Sequence, residues 1–315
     1  MTGNAPLIVE VSRGDMIESR HRVAAAALDA EGASLLEAGD ITALVYPRSA
    51  IKPLQALVLV ESGAADAFGL GNAEIALACA SHSGEERHVE LVRAWLARLG
   101  LSDSDLECGV HSVAGCATPT TAHNNCSGKH AGFLTVARHL GFPTAGYIGA
   151  EHPVQRLVMA KVAETMGAKL AGAPRGIDGC GIPVFGVKLA ELARGMARFS
   201  ASDGPSARIR TAMAAAPSMV AGTGRFTTRV IEATAGDVLV KEGAEGVYCG
   251  MVPGRGIGIA VKAEDGAGRA ASAAIGHVLQ RLGALDTTQS AQLSDAISPT
   301  LRNHAGREVG RISVR

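Results

Sequence analysis

The chain has 315 residues, of which 47% are hydrophobic and only 3% are aromatic, and its 30 basic residues balance 30 acidic ones. This composition is typical of a compact globular protein, and the length suits one large domain or two small ones. Because the chain has no long run of like charge, no basic stripe and no aromatic platform, we expect neither nucleic acid nor an anionic membrane as a partner.

The N-terminal residues MTGNAPLIVEVSRGD contain no basic segment followed by a long apolar stretch, so they predict no signal peptide. No uninterrupted apolar run is long enough to span a bilayer. The six cysteines are scattered, which indicates free, metal-binding or reactive thiols rather than a disulfide framework. We therefore expect a cytoplasmic protein.

The first 46 residues predict β-structure. Residues 6–11 form an apolar extended run, and the runs 22–28 and 34–38 flank a hairpin turn at residues 29–32. A further strand is predicted at 41–46, leading directly into the sequence PRSAIKP at 47–53.

The pattern becomes largely helical from residue 54 to about 219. Predicted helices span 54–62, 73–80, 127–140, 154–166 and 182–198. Ser83 and Glu86 have the spacing of a capping box, with apolar residues at helical spacing continuing to Leu99.

After Arg225 the pattern returns to short strands, at 229–234, 238–241, 247–252 and 256–261, followed by a helix at 267–282. The chain is therefore predicted to be an α/β (α+β) protein with a single domain. One antiparallel sheet would be built from both termini, about 1–52 and 225–315, with a helical insert at about 53–220. The cleft between the sheet and the insert is the natural place for a site.

Ser49 and Lys52 are three residues apart at the predicted strand-to-helix junction. Positions i and i+3 share a helix face, so the amine can reach the hydroxyl. A partly desolvated lysine can act as the base that makes a serine nucleophilic, as in Ser-x-x-Lys acyl-transfer enzymes. The spacing alone favours an ordinary exposed helix start.

Two other polar turns could contribute to chemistry. Ser81 and His82 precede the capped helix and are available to a ligand, although they could also form only the turn that separates two helices. Cys126 and Cys180 lie in glycine-containing turns, and a thiolate at a helix N-terminus is favoured by the helix dipole. Two cysteines alone are weak evidence for zinc, and both could be structural.

Lys262 ends an apolar strand and shares a face with Gly258 and Ala260. It could point into the cleft, either as a second base or as a group that binds a carboxylate, or it could lie in solvent at the end of its strand. The order Ser-x-x-Lys, Ser-x-Ser, Lys-x-Gly loosely matches the three motifs of serine β-lactamases and penicillin-binding proteins, but the last two do not match in full.

Six ordered motifs together resemble one family, the Rhizobium-type (class 3, asparaginase II) L-asparaginases. The motifs are PRSAIKPLQ at 47–55, ASHSGE at 80–85, HNNCSGKHAG at 123–132, DGCGIP at 178–183, AGTGR at 221–225 and KEGAEGV at 241–247. The resemblance extends over nearly the whole length. It implies a fold similar to serine β-lactamases and glutaminases, and a homodimer.

The resemblance also implies two serine–lysine pairs. Ser49 and Lys52 would form one pair, and Ser81 and Lys262 the other, with Lys241 as the alternative second lysine. A zinc ion is implied near the site, with Cys126, Lys129 and Cys180 as its ligands. Arg48, His82 and Asp178 are the residues predicted to contact the substrate, with Asp178 also placed to support the metal site.

The implied reaction is hydrolysis of L-asparagine to aspartate and ammonia, in which Lys52 takes a proton from Ser49 and Ser49 attacks the amide. A glutaminase or another serine amidohydrolase is the nearest rival, and a penicillin-recognising hydrolase is a more distant one. The non-enzymatic alternative is a zinc-binding or thiol-responsive protein that uses Cys126 and Cys180.

Overall fold

The computed structural model describes residues 4–113 and 115–315. Within these ranges, twelve strands run β1 to β12 at Leu7–Arg13, Met16–Leu28, Ser34–Ala38, Leu44–Val45, Arg175–Ile177, Pro183–Phe185, Val187–Lys188, Leu239–Glu242, Val247–Val252, Ile257–Ala263, Thr300–Arg302 and Glu308–Val314.

Fourteen α-helices connect these strands, among the described residues. They run α1 to α14 at Lys52–Gln55, Leu57–Glu61, Ala64–Ala67, Asn72–Ala78, Glu86–Arg98, Ser127–Leu140, Pro153–Met166, Leu189–Ala201, Pro205–Ala215, Pro217–Val220, Phe226–Ala233, Gly268–Arg281, Thr287–Gln292 and Ser294–Ile297. Short 3₁₀ turns lie at Arg48–Ile51, Asp103–Asp105, Thr121–His123 and Pro253–Arg255.

Eight of the strands form one antiparallel sheet, in the order β11-β12-β1-β2-β10-β9-β8, with β3 also paired to β2. The two ends of the chain meet in it, because Val9 of β1 is opposite Val314 of β12. The predicted α/β architecture, a sheet built from both termini with a helical insert between them, is confirmed.

The sheet is covered on both faces. In β2, Ala25 and Ala27 belong to the core under α12, whereas Ala24 and Ala26 belong to the core shared with α8 and the insert. Alanine is a weak strand former, but its small side chain lets a helix approach closely on each face. The alanine run is therefore a packing solution for a strand buried on both sides.

Three predicted elements are wrong. The strand at 41–46 shrinks to β4, which pairs with β7 and not with the large sheet. The helix at 182–198 begins only at Leu189, after β6 and β7, and the strand at 229–234 is the helix α11. Short apolar runs do not distinguish helix from strand, and the tertiary partner decides.

Two further features differ from the sequence pattern. Helix α5 has Glu85 as its N-cap, so the capping box led by Ser83 is wrong, and the Ser83 hydroxyl donates instead to the Glu85 carboxylate at 2.7 Å. Strands β11 and β12 are not predicted by the sequence pattern, because most of their residues are half-buried or exposed and Ile312 is their single buried residue. No helix in the described ranges has both the length and the apolarity needed to cross a bilayer.

Candidate active site

Ser49 lies in a tight turn rather than at the end of a sheet strand. The 3₁₀ turn Arg48–Ile51 runs directly into α1, and Pro53 occupies one of the first helical positions, where no backbone donor is needed. Arg48 has φ of +50°, a left-handed conformation that is uncommon for a residue with a side chain. The turn therefore stores backbone strain next to the serine.

Lys52 is fully buried, and its amine is held by polar groups of the insert. Its Nζ donates to the Ala80 carbonyl, lies 3.2 Å from the Ser81 Oγ, and is 3.5 Å from the carbonyl of Asn125. The first and second predicted motifs are thus joined through Lys52 and Ser81.

Lys241 approaches the same hydroxyl from the sheet. It lies on β8 and shares a face with Leu239, toward the insert. Its Nζ donates to the Ser81 Oγ at 2.8 Å and to the Glu242 carbonyl at 2.8 Å. Burial, helped by the charge of Lys52, lowers the pKa of Lys241 to about 8, although the Glu242 carboxylate opposes this shift.

Lys262 does not reach Ser81, and Lys241 occupies the position predicted for it. Lys262 shares a strand face with Gly258 and Ala260, as predicted. It lies near the end of β10, however, and its amine donates to the carbonyl of Glu245 at 2.8 Å and to that of Ala263. The strand end turns the flexible side chain back onto the neighbouring loop. The alternative offered by the KEGAEGV motif is the one that the geometry supports.

A cavity of about 360 Å³ opens beside these groups. This volume lies within the rough range of 300–1,000 Å³ for small-molecule sites. Its lining includes polar side chains from separate parts of the chain, among them Ser49, Ser81, His123, Asn125, Arg225 and Glu242. Both candidate serines therefore face one small polar chamber.

His82 also lines the cavity, but its ring nitrogens are already occupied. Nδ1 accepts from the backbone N–H of Gly84 at 3.1 Å, so Nε2 carries the proton and donates to the Ser127 Oγ at 2.9 Å. Burial holds the pKa of His82 well below its usual range, which keeps the ring neutral. The bond to Ser127 fixes the start of α6, and the contact of His82 with the substrate stays a prediction.

Arg48 and Asp178 contact each other. The guanidinium lies 2.8–2.9 Å from the Asp178 Oδ1, and both side chains are largely buried. Burial opposes ionisation of Asp178, but the bond from Arg48 and the charge of Lys129 outweigh it and hold the pKa of the carboxyl below its usual range. The pair ties the Ser49 turn to the turn that contains Cys180.

Cys126, Lys129 and Cys180 meet in one buried cluster. The Lys129 Nζ lies 3.0 Å from the Cys180 Sγ, and all three residues are buried. A side chain at Gly128 would collide with the backbone of Leu77, so only glycine lets α6 begin this close to α4. This close approach brings the predicted metal ligands beside the serine cavity.

The electrostatics of the cluster favour one thiolate. The hydrogen bond from Cys180 and the charges of Lys129 and Lys52 hold the pKa of Cys126 well below its usual range, despite its burial. The pKa of Cys180 is raised, because a second thiolate would lie beside the first and away from water. Two sulfurs and one nitrogen match the donor types of a zinc site with a fourth position open. No group of three or more His, Cys, Asp or Glu residues at metal-binding distances occurs within the described residues.

The sequence did not assign roles to two charged residues of the cavity, Arg225 and Glu242. Both lie inside quoted motifs, Arg225 at the end of AGTGR and Glu242 directly after Lys241. Their places in these motifs, and for Glu242 its position next to Lys241, are the features of the sequence that could have indicated a role in the site. The loop before Arg225 docks on Glu85, whose carboxylate accepts from the backbone N–H of Thr223 at 2.8 Å.

The chain matches one known family over nearly its whole length. The model of the L-asparaginase II family matches residues 9–314. Among solved structures, a β-lactamase from Mycobacterium bovis is similar at 15% identity and a TM-score of 0.41, over 87% of this chain and 95% of that chain. A second protein of β-lactamase type, from Bacteroides dorei, has 12% identity and a TM-score of 0.39, over 83% of this chain and 86% of that chain.

At these TM-scores the structural likenesses add nothing to the assignment, and no curated protein sequence matches the chain. The family match, by contrast, covers nearly the full length and includes every serine, lysine and cysteine discussed above. The chain belongs to the L-asparaginase II family and is an amidohydrolase, an L-asparaginase.

Proposed function

We propose that the enzyme hydrolyses L-asparagine through an acyl-enzyme on Ser49, with Lys52, Ser81 and Lys241 moving the protons. The observation that supports this most directly is the Ser81 hydroxyl, which is 3.2 Å from one buried amine and 2.8 Å from another beside a cavity that also contains Ser49. A hydroxyl between two amines can pass a proton from one to the other.

If Lys52 and Lys241 were both ammonium groups, they would repel each other across the Ser81 hydroxyl. In the active form of the enzyme, therefore, one of the two amines is protonated and the other is neutral. Lys52 takes the Ser49 proton as the Ser49 oxygen bonds to the amide carbon, and the proton that the pair already holds moves between the two amines through Ser81. The carbon–nitrogen bond then breaks, and the leaving nitrogen receives a proton through Ser81, so that ammonia departs. Water next attacks the ester, one lysine accepts its proton, and the Ser49 oxygen is reprotonated as aspartate leaves.

We propose zinc as the metal of the cluster formed by Cys126, Lys129 and Cys180. When bound, zinc would supply a Lewis acid and fix the positions of groups beside the cavity. The protein supplies the dry surroundings and the Arg48–Asp178 pair, which holds the Cys180 turn in place. Binding requires loss of the remaining protons on the thiols and on Lys129.

The predicted single domain, homodimer, cytoplasmic location and lack of nucleic-acid or membrane partners also remain proposals. They are supported by the balanced charge and by the family resemblance. Sedimentation of the purified enzyme tests the dimer, and a single cooperative unfolding transition tests the domain count.

The test of the mechanism is ammonia release from L-asparagine and L-glutamine by Ser49→Ala and Ser81→Ala, with the exposed Ser104→Ala as a control. Ser49→Ala should lose at least about 10⁴-fold in kcat and form no aspartyl ester detectable by mass spectrometry. Ser81→Ala should slow turnover but still form the ester. An ester on Ser81 would contradict the assignment, and preference for L-glutamine would identify a glutaminase.

A further inference from the structure

One carboxylate in the wall of the serine cavity has incomplete hydrogen bonding. The Glu242 Oε2 accepts from the Thr227 hydroxyl at 2.6 Å and lies 3.4 Å from the Lys241 Nζ. Its other oxygen, Oε1, is buried and has no hydrogen-bond partner among the residues that the structure describes. A buried carboxylate oxygen without a partner is costly, so a ligand that bonds it gains binding energy.

Arg225 lies over this oxygen without bonding it. The guanidinium Nη2 is 3.9 Å from the Glu242 Oε1, which is beyond hydrogen-bond distance, and the Arg225 side chain is half-exposed. Both residues line the same cavity as Ser49 and Ser81. One positive and one negative group therefore flank a chamber that contains the proposed nucleophile.

The loop that presents Arg225 is held firmly. Glu85 accepts from the backbone N–H of Thr223 at 2.8 Å and from its hydroxyl at 2.9 Å. Gly222 has φ of +125°, and a side chain there would collide with the Ser83 Oγ. The backbone is thus fixed, and the guanidinium at its end is half-exposed at the cavity.

From this geometry we infer that Arg225 binds the α-carboxylate and Glu242 the α-ammonium of the substrate, so that the cavity selects amides of α-amino acids. The inference rests on the proposed function, because it assigns the two ends of the molecule whose amide reaches Ser49. A ligand carboxylate draws the Arg225 guanidinium off Glu242, and the uncovered Oε1 then accepts from the ligand ammonium.

Two truncated amides separate the two contacts. Succinamate is L-asparagine without the α-ammonium, and β-alaninamide is L-asparagine without the α-carboxylate. We expect Glu242→Gln to lower kcat/KM for L-asparagine and β-alaninamide by about 10- to 100-fold beyond any change for succinamate. Arg225→Gln should instead penalise L-asparagine and succinamate, and spare β-alaninamide.

Comparing substrates within one variant removes effects on the chemical step, including any that arise because Glu242 influences Lys241. Glu232→Gln, an exposed residue of α11 with the same change of charge, is the control and should penalise no substrate. An amide that is bound but not turned over is measured by its inhibition constant against L-asparagine.

The crossed pattern supports the inference. An equal loss on all three amides in both variants, in a wild-type enzyme that hydrolyses L-asparagine, overturns it and leaves the proposed function intact. A wild-type enzyme that releases no ammonia from L-asparagine overturns the proposed function first, and this inference with it.

Discussion

The lowered pKa of Lys241 makes the pH dependence of this enzyme a direct test of its buried lysine pair. With a pKa of about 8, the Lys241 amine is neutral in about a tenth of molecules at pH 7 and in about nine tenths at pH 9. Because the active pair holds one proton, kcat/KM should rise about tenfold between these two pH values, with a midpoint near 8.

Replacing Lys241 by Met keeps the length and the apolar stem but removes the amine that contacts Ser81 at 2.8 Å. We expect kcat/KM to fall by about 10²–10⁴-fold, the usual contribution of a general acid or base, and the midpoint near pH 8 to disappear. The stability should change too. A lysine whose pKa is lowered by folding contributes stability above its unfolded pKa of 10.5 and loses it as the pH falls to 8.

Relative to Lys241→Met, the wild type should therefore gain about 1.4 kcal/mol of unfolding free energy for each pH unit between 8 and 10.5. Ammonia release from pH 6 to 9.5 measures the first effect, and urea unfolding at pH 7, 8.5 and 9.5 measures the second. A variant that keeps the midpoint near 8, or a stability difference that does not change with pH, would refute the role given to this amine.

Three further predictions concern the supports of the site. Glu85→Gln should raise the KM for L-asparagine and cost about 1–3 kcal/mol of unfolding free energy at pH 7, because the loop loses its contacts through Thr223. Burial opposes ionisation of Glu85, but hydrogen bonds lower its pKa to about 2, so the stability difference between wild type and variant should shrink as the pH falls from 4.5 toward 2. A difference in urea unfolding that stays constant with pH would argue against this prediction. Gly222→Ala should cost at least about 1 kcal/mol and raise KM, since the added Cβ meets Ser83 at a positive φ; an unchanged melting temperature would contradict this. Cys180→Ser should lower the amount of bound zinc at least about tenfold, measured by elemental analysis, while the circular dichroism spectrum is retained. Equal zinc in both proteins would exclude Cys180 as a ligand.

Much of the architecture could be predicted from the sequence because its longest elements have clear periodicity. The continuous apolar runs of β9 and β10 and the long apolar faces of α5 and α12 agree with the structure. The failures are short elements. A run such as 229–234 suits both a strand and a helix, and only packing against its neighbours selects the helix.

The site shows the same limit in three dimensions. The Ser-x-x-Lys spacing places Lys52 near a hydroxyl, but the hydroxyl that it contacts belongs to Ser81, far along the chain. Lys241 and Lys262 have the same strand parity toward the insert, and each is the second-to-last residue of its strand. Strand pattern alone therefore does not separate the buried amine beside Ser81 from the one turned back onto the carbonyl of Glu245.

The pairing of strands from opposite ends of the chain has a consequence for the enzyme during its synthesis. On a ribosome, β1 and β2 emerge early, but β10 and β12, which complete their hydrogen bonds, emerge near the end. Such pairings close slowly, since distant segments must meet. Lys241 reaches Ser81 only once β8, β9 and β10 have joined the sheet. Activity should therefore begin only after these three strands have joined the sheet, late in synthesis and folding.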